Sequence, residues 1–259
     1  MGNIIPVERS IIPSFDFKED ALHLARTIIK ETNDIEKIGG YKFGVGFLDF
    51  GLKVLVDIFG DLTKKPLIYD HQKGGTDINE EIPEVFMDKI VRSRIKTIIL
   101  FPLSGPASQY EWIKAAQDRS LNVIVGGEMT HPRFLDGDLS EGKSKDYTEI
   151  FKSLGLERNL TGYIRQSAPD DVYELAARMG ITDFVVPGNK PERIKHYKSL
   201  IERCGVLDPV FYSPGLVVQG GKISEGAKAA GKNFHGIIGR AFKDSQNIKQ
   251  TALEFTSQL

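Results

Sequence analysis

Short apolar runs alternate along this chain with longer amphipathic stretches. The runs lie at residues 11–17, 41–47, 66–71, 97–103, 122–129, 183–187, 209–213 and 234–239, and are rich in Ile, Val and Phe. Their apolar positions are nearly continuous rather than alternating, as in strands buried on both faces of a parallel sheet. Between them, Ala21, Leu24, Ala25 and Ile28 recur at helical spacing within residues 18–32, with charged residues interposed. Residues 170–179 and 191–203 read the same way, the former opened by the helix-start pattern Ala168-Pro169-Asp170-Asp171. Repeated strand–helix units imply right-handed crossovers and a parallel sheet covered by helices. Eight such strands predict an α/β protein folded as a closed (β/α)8 barrel. Residues 163–165 offer a ninth strand that does not fit this number, either an extra strand or part of an insertion. The polar stretch 133–145, with Gly137 and Gly142, reads as a long surface loop beside the site. No linker or internal repeat divides the chain, so residues 1–259 are expected to form one barrel domain.

In such a barrel the chemistry sits at the C-terminal strand ends. The first strand ends in Ser14-Phe15-Asp16 and the second carries Lys42. The third ends Asp70-His71-Gln72-Lys73-Gly74-Gly75-Thr76-Asp77, and the fifth Glu128-Met129-Thr130-His131-Pro132. The seventh ends Ser213-Pro214-Gly215, followed by Gln219-Gly220-Gly221, and the eighth ends Ile237-Ile238-Gly239-Arg240. Charges at the rim of an apolar barrel are costly unless paired. Taken alone, Lys42, Asp70, Lys73 and Asp77 fit two structural salt bridges as well as a catalytic array. At the eighth strand, Gly239 lets a ligand approach the backbone, and Arg240 offers a planar fork suited to phosphate. Gln219, with its flexible glycines, is placed to close over the same group.

Composition narrows the partners. Hydrophobic residues make up 41% and charged residues 27% of the chain, ordinary for a globular protein. Thirty-four Lys and Arg balance thirty-five Asp and Glu, a net charge of −1, which leaves no basic excess for nucleic acid but still allows a small anion. The single cysteine, Cys204, permits no intrachain disulfide and reads as a half-buried structural thiol. No apolar run reaches the ~20 residues that span a bilayer, and residues 1–10 lack the apolar core of a signal peptide. These features predict a cytoplasmic protein with neither membrane nor nucleic acid as partner. His71 beside Asp70 and Asp77 is a poor divalent-metal set, and His131 reads as structural.

The strand-end residues, in order from about residue 11 to 242, resemble the orotidine 5′-phosphate decarboxylase family, most closely its archaeal-like short forms. The resemblance implies a (β/α)8 barrel that forms a homodimer with shared active sites. It implies decarboxylation of the nucleotide substrate orotidine 5′-phosphate to uridine 5′-phosphate in pyrimidine synthesis, with neither metal nor organic cofactor. By position, Lys73 is then the proton donor and Asp70 the carboxylate beside the leaving CO2. Lys42 and Asp77 complete the catalytic array, Asp77 reaching across from the partner subunit. Asp16 binds ribose and Thr130 the pyrimidine amide edge. Pro214 and Gly215 line the substrate site, while Gln219, Gly239 and Arg240 hold the phosphate.

The sequence departs from the family pattern at the third strand. The usual Asp-x-Lys-x-x-Asp is here Asp-x-x-Lys-x-x-x-Asp, one residue longer in each gap. On a regular strand, residues two apart share a face and residues three apart do not, so a bulge or an early strand exit after Asp70 is required to aim Lys73. Thr130 stands where Ser is usual, and the segment between strands five and six is longer than in the short forms. The competing readings are a Mg2+-dependent sugar-phosphate enzyme of the same superfamily, hexulose-phosphate synthase or keto-gulonate-phosphate decarboxylase, and a non-catalytic nucleotide-binding barrel.

Overall fold

The structure, a computed structural model, describes residues 3–17, 20–47, 49–71, 75–77, 81–141, 145–156, 158 and 160–259. The described strands are β1 (Arg9–Pro13), β2 (Tyr41–Phe43), β3 (Leu67–Asp70), β4 (Thr97–Leu100), β5 (Asn122–Gly126), β6 (Asp183–Val185), β7 (Val210–Ser213) and β8 (Asn233–Ile238). Helices α1 (Ala21–Thr32), α2 (Leu52–Gly60), α3 (Ile82–Arg92) and α4 (Pro106–Gln117) follow β1 to β4 in turn. Two helices, α5 (Tyr147–Ser153) and α6 (Ala168–Arg178), follow β5. After β6 and β7 come α7 (Pro191–Arg203) and α8 (Ile223–Ala230), and β8 leads into α9 (Arg240–Lys243) and α10 (Ile248–Thr256).

All strand pairings are parallel, in the order β1-β8-β7-β6-β5-β4-β3-β2. The ring closes between β1 and β2 through bridges Ile11–Ile38 and Ser14–Lys42, with Phe15 N donating to Lys42 O at 2.9 Å. This is a (β/α)8 barrel. Each expected strand is present, although β1 begins two residues earlier than its apolar run, because Arg9 pairs with Phe234. No helix among the described residues is long and apolar enough to cross a membrane.

Alternation along the strands makes two apolar cores. Ile12, Ile68, Ile99, Ile124, Val185, Tyr212 and Ile237 point inward and fill the barrel with Phe101. Their sequence neighbours Ile11, Tyr69, Ile98, Val123, Phe184, Phe211 and Ile238 point outward under the helices. Gly126 is required by this packing: a Cβ there would lie 2.3 Å from the Phe101 ring. Residues 163–165 do not add a ninth strand. Ile164 makes one isolated bridge to Leu135, inside an excursion between β5 and α6. That excursion is organised around Arg133, whose guanidinium donates to Leu160 O at 2.5 Å, to Thr148 Oγ1 at 2.7 Å and to Glu141, and stacks 5.4 Å over the Phe151 ring. The stretch 133–145 is therefore tied down over its described residues rather than a plain loop.

The N-terminal end of the barrel is polar and internally satisfied. Ser10 Oγ lies 2.8 Å from His235 Nδ1, and the Tyr212 ring packs against that imidazole at a tilt, 5.0 Å between centroids. Tyr212 donates to Asp183 Oδ1 at 2.9 Å, and Thr182 to Asp183 Oδ2 at 2.7 Å. Burial raises the Asp183 carboxyl despite these two bonds. Burial also pushes His235 down to about 3, so it is a neutral ring in the folded state at neutral pH. The unfolded chain binds a proton at this histidine below about pH 6.5 and the folded protein does not. Its contribution is therefore present in full above that pH and is lost as pH falls toward 3. Replacing His235 by Asn should remove a slope of up to about 1.4 kcal/mol per pH unit from unfolding free energies, measured in urea between pH 7 and 5. Asp183 is common to both proteins, so the difference between them isolates His235; parallel pH profiles would refute its part.

Candidate active site

Strand alternation builds the site. Tyr41 and Phe43 pack outward, which turns Lys42 into the barrel; Tyr69 packs outward, which turns Asp70 inward. Lys42 Nζ lies 2.6 Å from Asp16 Oδ2 and 2.7 Å from Asp70 Oδ2, and Ser14 Oγ donates to Asp16 Oδ2 at 3.0 Å. Lys42 is 6% and Asp70 8% exposed. Burial alone would lower the lysine pKa, but the charges of Asp70 and Asp16 and their hydrogen bonds outweigh it and raise the pKa. Lys42 is thus a fixed ammonium held between two carboxylates. The second oxygen, Asp70 Oδ1, is buried and accepts no hydrogen bond from the described residues. A buried acceptor left without a donor costs about 1–3 kcal/mol, so this oxygen is a favourable place for a donor group.

β3 ends at Asp70 itself. The early strand exit demanded by the long spacing is present, while Lys73 lies outside the described residues. The chain is re-anchored at Gly75, whose φ of +90° and close approach to Pro102 exclude a side chain. The Gly75 carbonyl accepts from Ser104 Oγ at 3.3 Å and Ser108 Oγ at 3.2 Å, and Ser108 also donates to Asp77 O at 3.2 Å. Asp77 is exposed and does not line the central cavity. His71 packs on Tyr69 and Phe86, on the helix side of the strand away from Asp70. Among the described residues no group of three or more His, Cys, Asp or Glu is arranged to hold a metal ion.

A cavity of about 490 Å3 opens at the C-terminal strand ends, within the usual size of small-molecule sites. Asp16, Lys42 and Asp70 line one side; Thr130, Pro214, Gly215, Gln219, Gly239 and Arg240 line the other. Ile99, Phe101, Val185 and Ile237 form apolar wall between them. Gly215, at φ +90°, is close-packed: a Cβ would meet Thr130 Cγ2 at 2.8 Å and Gln219 Oε1 at 3.1 Å. Arg240 opens α9, is exposed, and makes no ion pair among the described residues. A larger hollow of about 710 Å3 lies outside the barrel beside α1 and is lined by none of these residues.

The structure adds residues to this site that the strand-end reading did not select. Glu128, 2% exposed, lines the cavity and receives Lys190 Nζ and Arg193 Nε, each at 2.8 Å, together with the Tyr197 hydroxyl. Burial would raise its carboxyl, but bonds from Lys190, Tyr197 and Arg193 prevail and hold it below the usual range. Asn189 Nδ2 donates to Thr130 O at 3.2 Å. A carboxylate at the end of an apolar strand was itself a signal, since it requires cations, but those cations lie more than 60 residues away at the start of α7.

No protein-family model matches the chain. Curated relatives do. The orotidine 5′-phosphate decarboxylase of Methanococcus maripaludis is 27% identical over 234 residues, covering 90% of this chain and 89% of that protein. The decarboxylase of Methanosarcina mazei is 25% identical over 247 residues, covering 93% and 90%. The chain is a homologue of archaeal orotidine 5′-phosphate decarboxylases. A solved structure of the Methanocaldococcus jannaschii decarboxylase, complexed with the inhibitor BMP, matches with a TM-score of 0.73 at 23% identity, over 97% of this chain and 99% of that one. The relation to these decarboxylases therefore spans the barrel rather than a shared fragment.

Lys42 is the group on which the charged side of the site depends. Replacing it with Met leaves Asp70 buried beside Asp16 with no intervening cation. The variant should lose about 3–5 kcal/mol of stability, read as a lower urea midpoint at neutral pH. An unchanged midpoint would mean that the ammonium does not hold the carboxylates together.

Proposed function

We propose that the chain, acting as a single barrel domain, decarboxylates orotidine 5′-phosphate to uridine 5′-phosphate at this cavity. The observation that carries the reading is the Lys42 clamp, which fixes Asp70 at the wall of a ligand-sized cavity with one oxygen unpaired among the described residues. In a homologue of the archaeal decarboxylases, that is where a substrate carboxylate and a proton donor have to meet.

The chemistry demands a cation. The bond from the ring carbon to the carboxylate breaks, CO2 departs, and the electron pair stays on the ring carbon in the ring plane, outside the π-system. An ammonium beside that carbon stabilises the charge and then supplies its proton, after which it regains one from water. Lys73 takes this role, as a compact charge with a transferable proton. Asp70 places fixed negative charge beside the substrate carboxylate, favouring its departure, and Lys42 keeps that charge in place. Asp16 binds ribose hydroxyls and the Thr130 hydroxyl the pyrimidine amide edge. Pro214 and Gly215 shape the wall that Gln219 closes. Gly239 and Arg240, after β8, hold the phosphate, where barrels commonly bind one. The phosphate does not react; its binding energy orients the ring.

The Mg2+-dependent alternative is disfavoured by the same clamp: the early-strand carboxylates a metal would use, Asp16 and Asp70, are both engaged by Lys42. Asp77 is read as serving the site of a second copy in a homodimer, a reading supported by its exposure and its place outside the lining of its own cavity.

Turnover of orotidine 5′-phosphate, followed by its ultraviolet absorbance, should persist in EDTA and fall by about 10²–10⁴-fold in Lys73→Ala. Activity abolished by EDTA would favour the metal-dependent reading, and full activity in Lys73→Ala would exclude Lys73 as donor. Removing the charge-assisted phosphate contact in Arg240→Ala should raise KM by about 10–100-fold. Mixing Lys73→Ala with Asp77→Ala protein should restore part of the activity, and no recovery after subunit exchange would remove Asp77 from a shared site.

A further inference from the structure

β5 leaves the barrel ladder at Gly126, yet Thr130 must be placed four residues farther on. Side chains from α6 and α7 take over from the lost ladder. The Tyr173 hydroxyl accepts from Gly127 N at 3.1 Å and Glu128 N at 3.2 Å, and donates to Val185 O at 2.7 Å, which ties the β5 exit to β6. The Glu128 side chain then turns back onto α7, where Lys190, Arg193 and Tyr197 converge on its two oxygens. Lys190 Nζ reaches Met129 O at 3.4 Å as well, so one ammonium joins the Glu128 carboxylate to the carbonyl immediately before Thr130.

A buried carboxylate with three donors is an expensive way to stabilise a fold, because apolar packing of equal volume commonly does as well. Its distinctive property is direction: opposed charged bonds of fixed length define where the backbone goes. We infer that Glu128 is a positioning residue for substrate binding, its carboxylate braced on Lys190 and Arg193 so that Thr130 meets the pyrimidine edge of the nucleotide. The inference rests on the decarboxylase reading and adds a residue to it. Glu128 touches no reacting atom in this assignment; it acts through Thr130 and therefore governs recognition of the base, not of the phosphate.

The test separates base from phosphate. Binding of uridine 5′-phosphate and of ribose 5-phosphate, which carries the same phosphate and lacks the base, is measured by calorimetry for wild type, Glu128→Gln, Thr130→Ala and the double variant. Glu128→Gln should weaken uridine 5′-phosphate about tenfold, the loss of roughly one well-placed hydrogen bond, and leave ribose 5-phosphate within about twofold. In the Thr130→Ala background the same change should have no further effect, the mark of two residues acting as one unit. Arg193→Met approaches the brace from the solvent side and should show the same split, which keeps the test available if Glu128→Gln folds poorly. Equal weakening of both ligands, or full additivity with Thr130→Ala, would reduce Glu128 to general structure and overturn the inference while the decarboxylase reading stands. Wild-type protein that neither binds uridine 5′-phosphate nor turns over orotidine 5′-phosphate would overturn both.

Discussion

One ammonium shared between two carboxylates is the constraint on which the mouth of this barrel is built. Lys42 lies on a three-residue strand with aromatic neighbours on either side, Tyr41 and Phe43, both locked into the outer core. That packing leaves its side chain no way out of the barrel, and once inside it must be neutralised. Asp16 and Asp70 do this from the two adjoining strand ends, at 2.6 and 2.7 Å. The ion pairs also draw together the place where β1 and β2 are joined only by bridges. Fold closure and site geometry thus share one interaction. A substitution at Lys42 is felt in both, which is why stability and chemistry are coupled at this end of the barrel.

The two ends handle buried polarity differently. At the N-terminal end, Ser10 pairs with His235 and Tyr212 with Asp183 through neutral or singly charged hydrogen bonds, and among the described residues Asp183 makes no ion pair. At the C-terminal end, charges are paired but left incomplete among the described residues, where one Asp70 oxygen accepts no hydrogen bond and the exposed Arg240 makes no ion pair. Incompleteness is tolerable where a ligand supplies the missing partners and is costly where none can enter. The asymmetry gives a physical reason why the same fold is stable at one end and reactive at the other.

Strand existence and facing were legible in the sequence because both depend on local pattern. The eight apolar runs and the parity of Lys42 and Asp70 follow from side-chain alternation over a few residues. α7 likewise begins at Pro191 and ends at Arg203, as its periodicity indicates. Legibility failed where structure depends on partners distant in the chain. Glu128 appeared as one member of a strand-end motif, but its meaning lies in Lys190 and Arg193, which read locally as an ordinary charged helix start. The excursion after β5 looked like a polar loop, since nothing in Arg133 itself announces that its guanidinium will gather Leu160, Thr148 and Glu141.

The lengthened third-strand motif shows which spacing rules are chemical and which belong to the ladder. While a chain remains in a strand, residues three apart face opposite sides, and Asp70 and Lys73 could not share the cavity. β3, however, stops at Asp70, and beyond it the ladder no longer dictates facing. Where no ladder fixes a chain, an added residue costs only loop entropy, which grows slowly with length. What must be restored is the exit direction, and this is the task of Gly75, held at positive φ against Pro102 and bonded to Ser104 and Ser108 before the chain reaches Asp77. The fixed points are therefore Asp70 at the end of the ladder and Gly75 at the re-anchoring. Asp70 keeps its place at the end of β3, and Asp77 is held through the bond from Ser108 to its carbonyl.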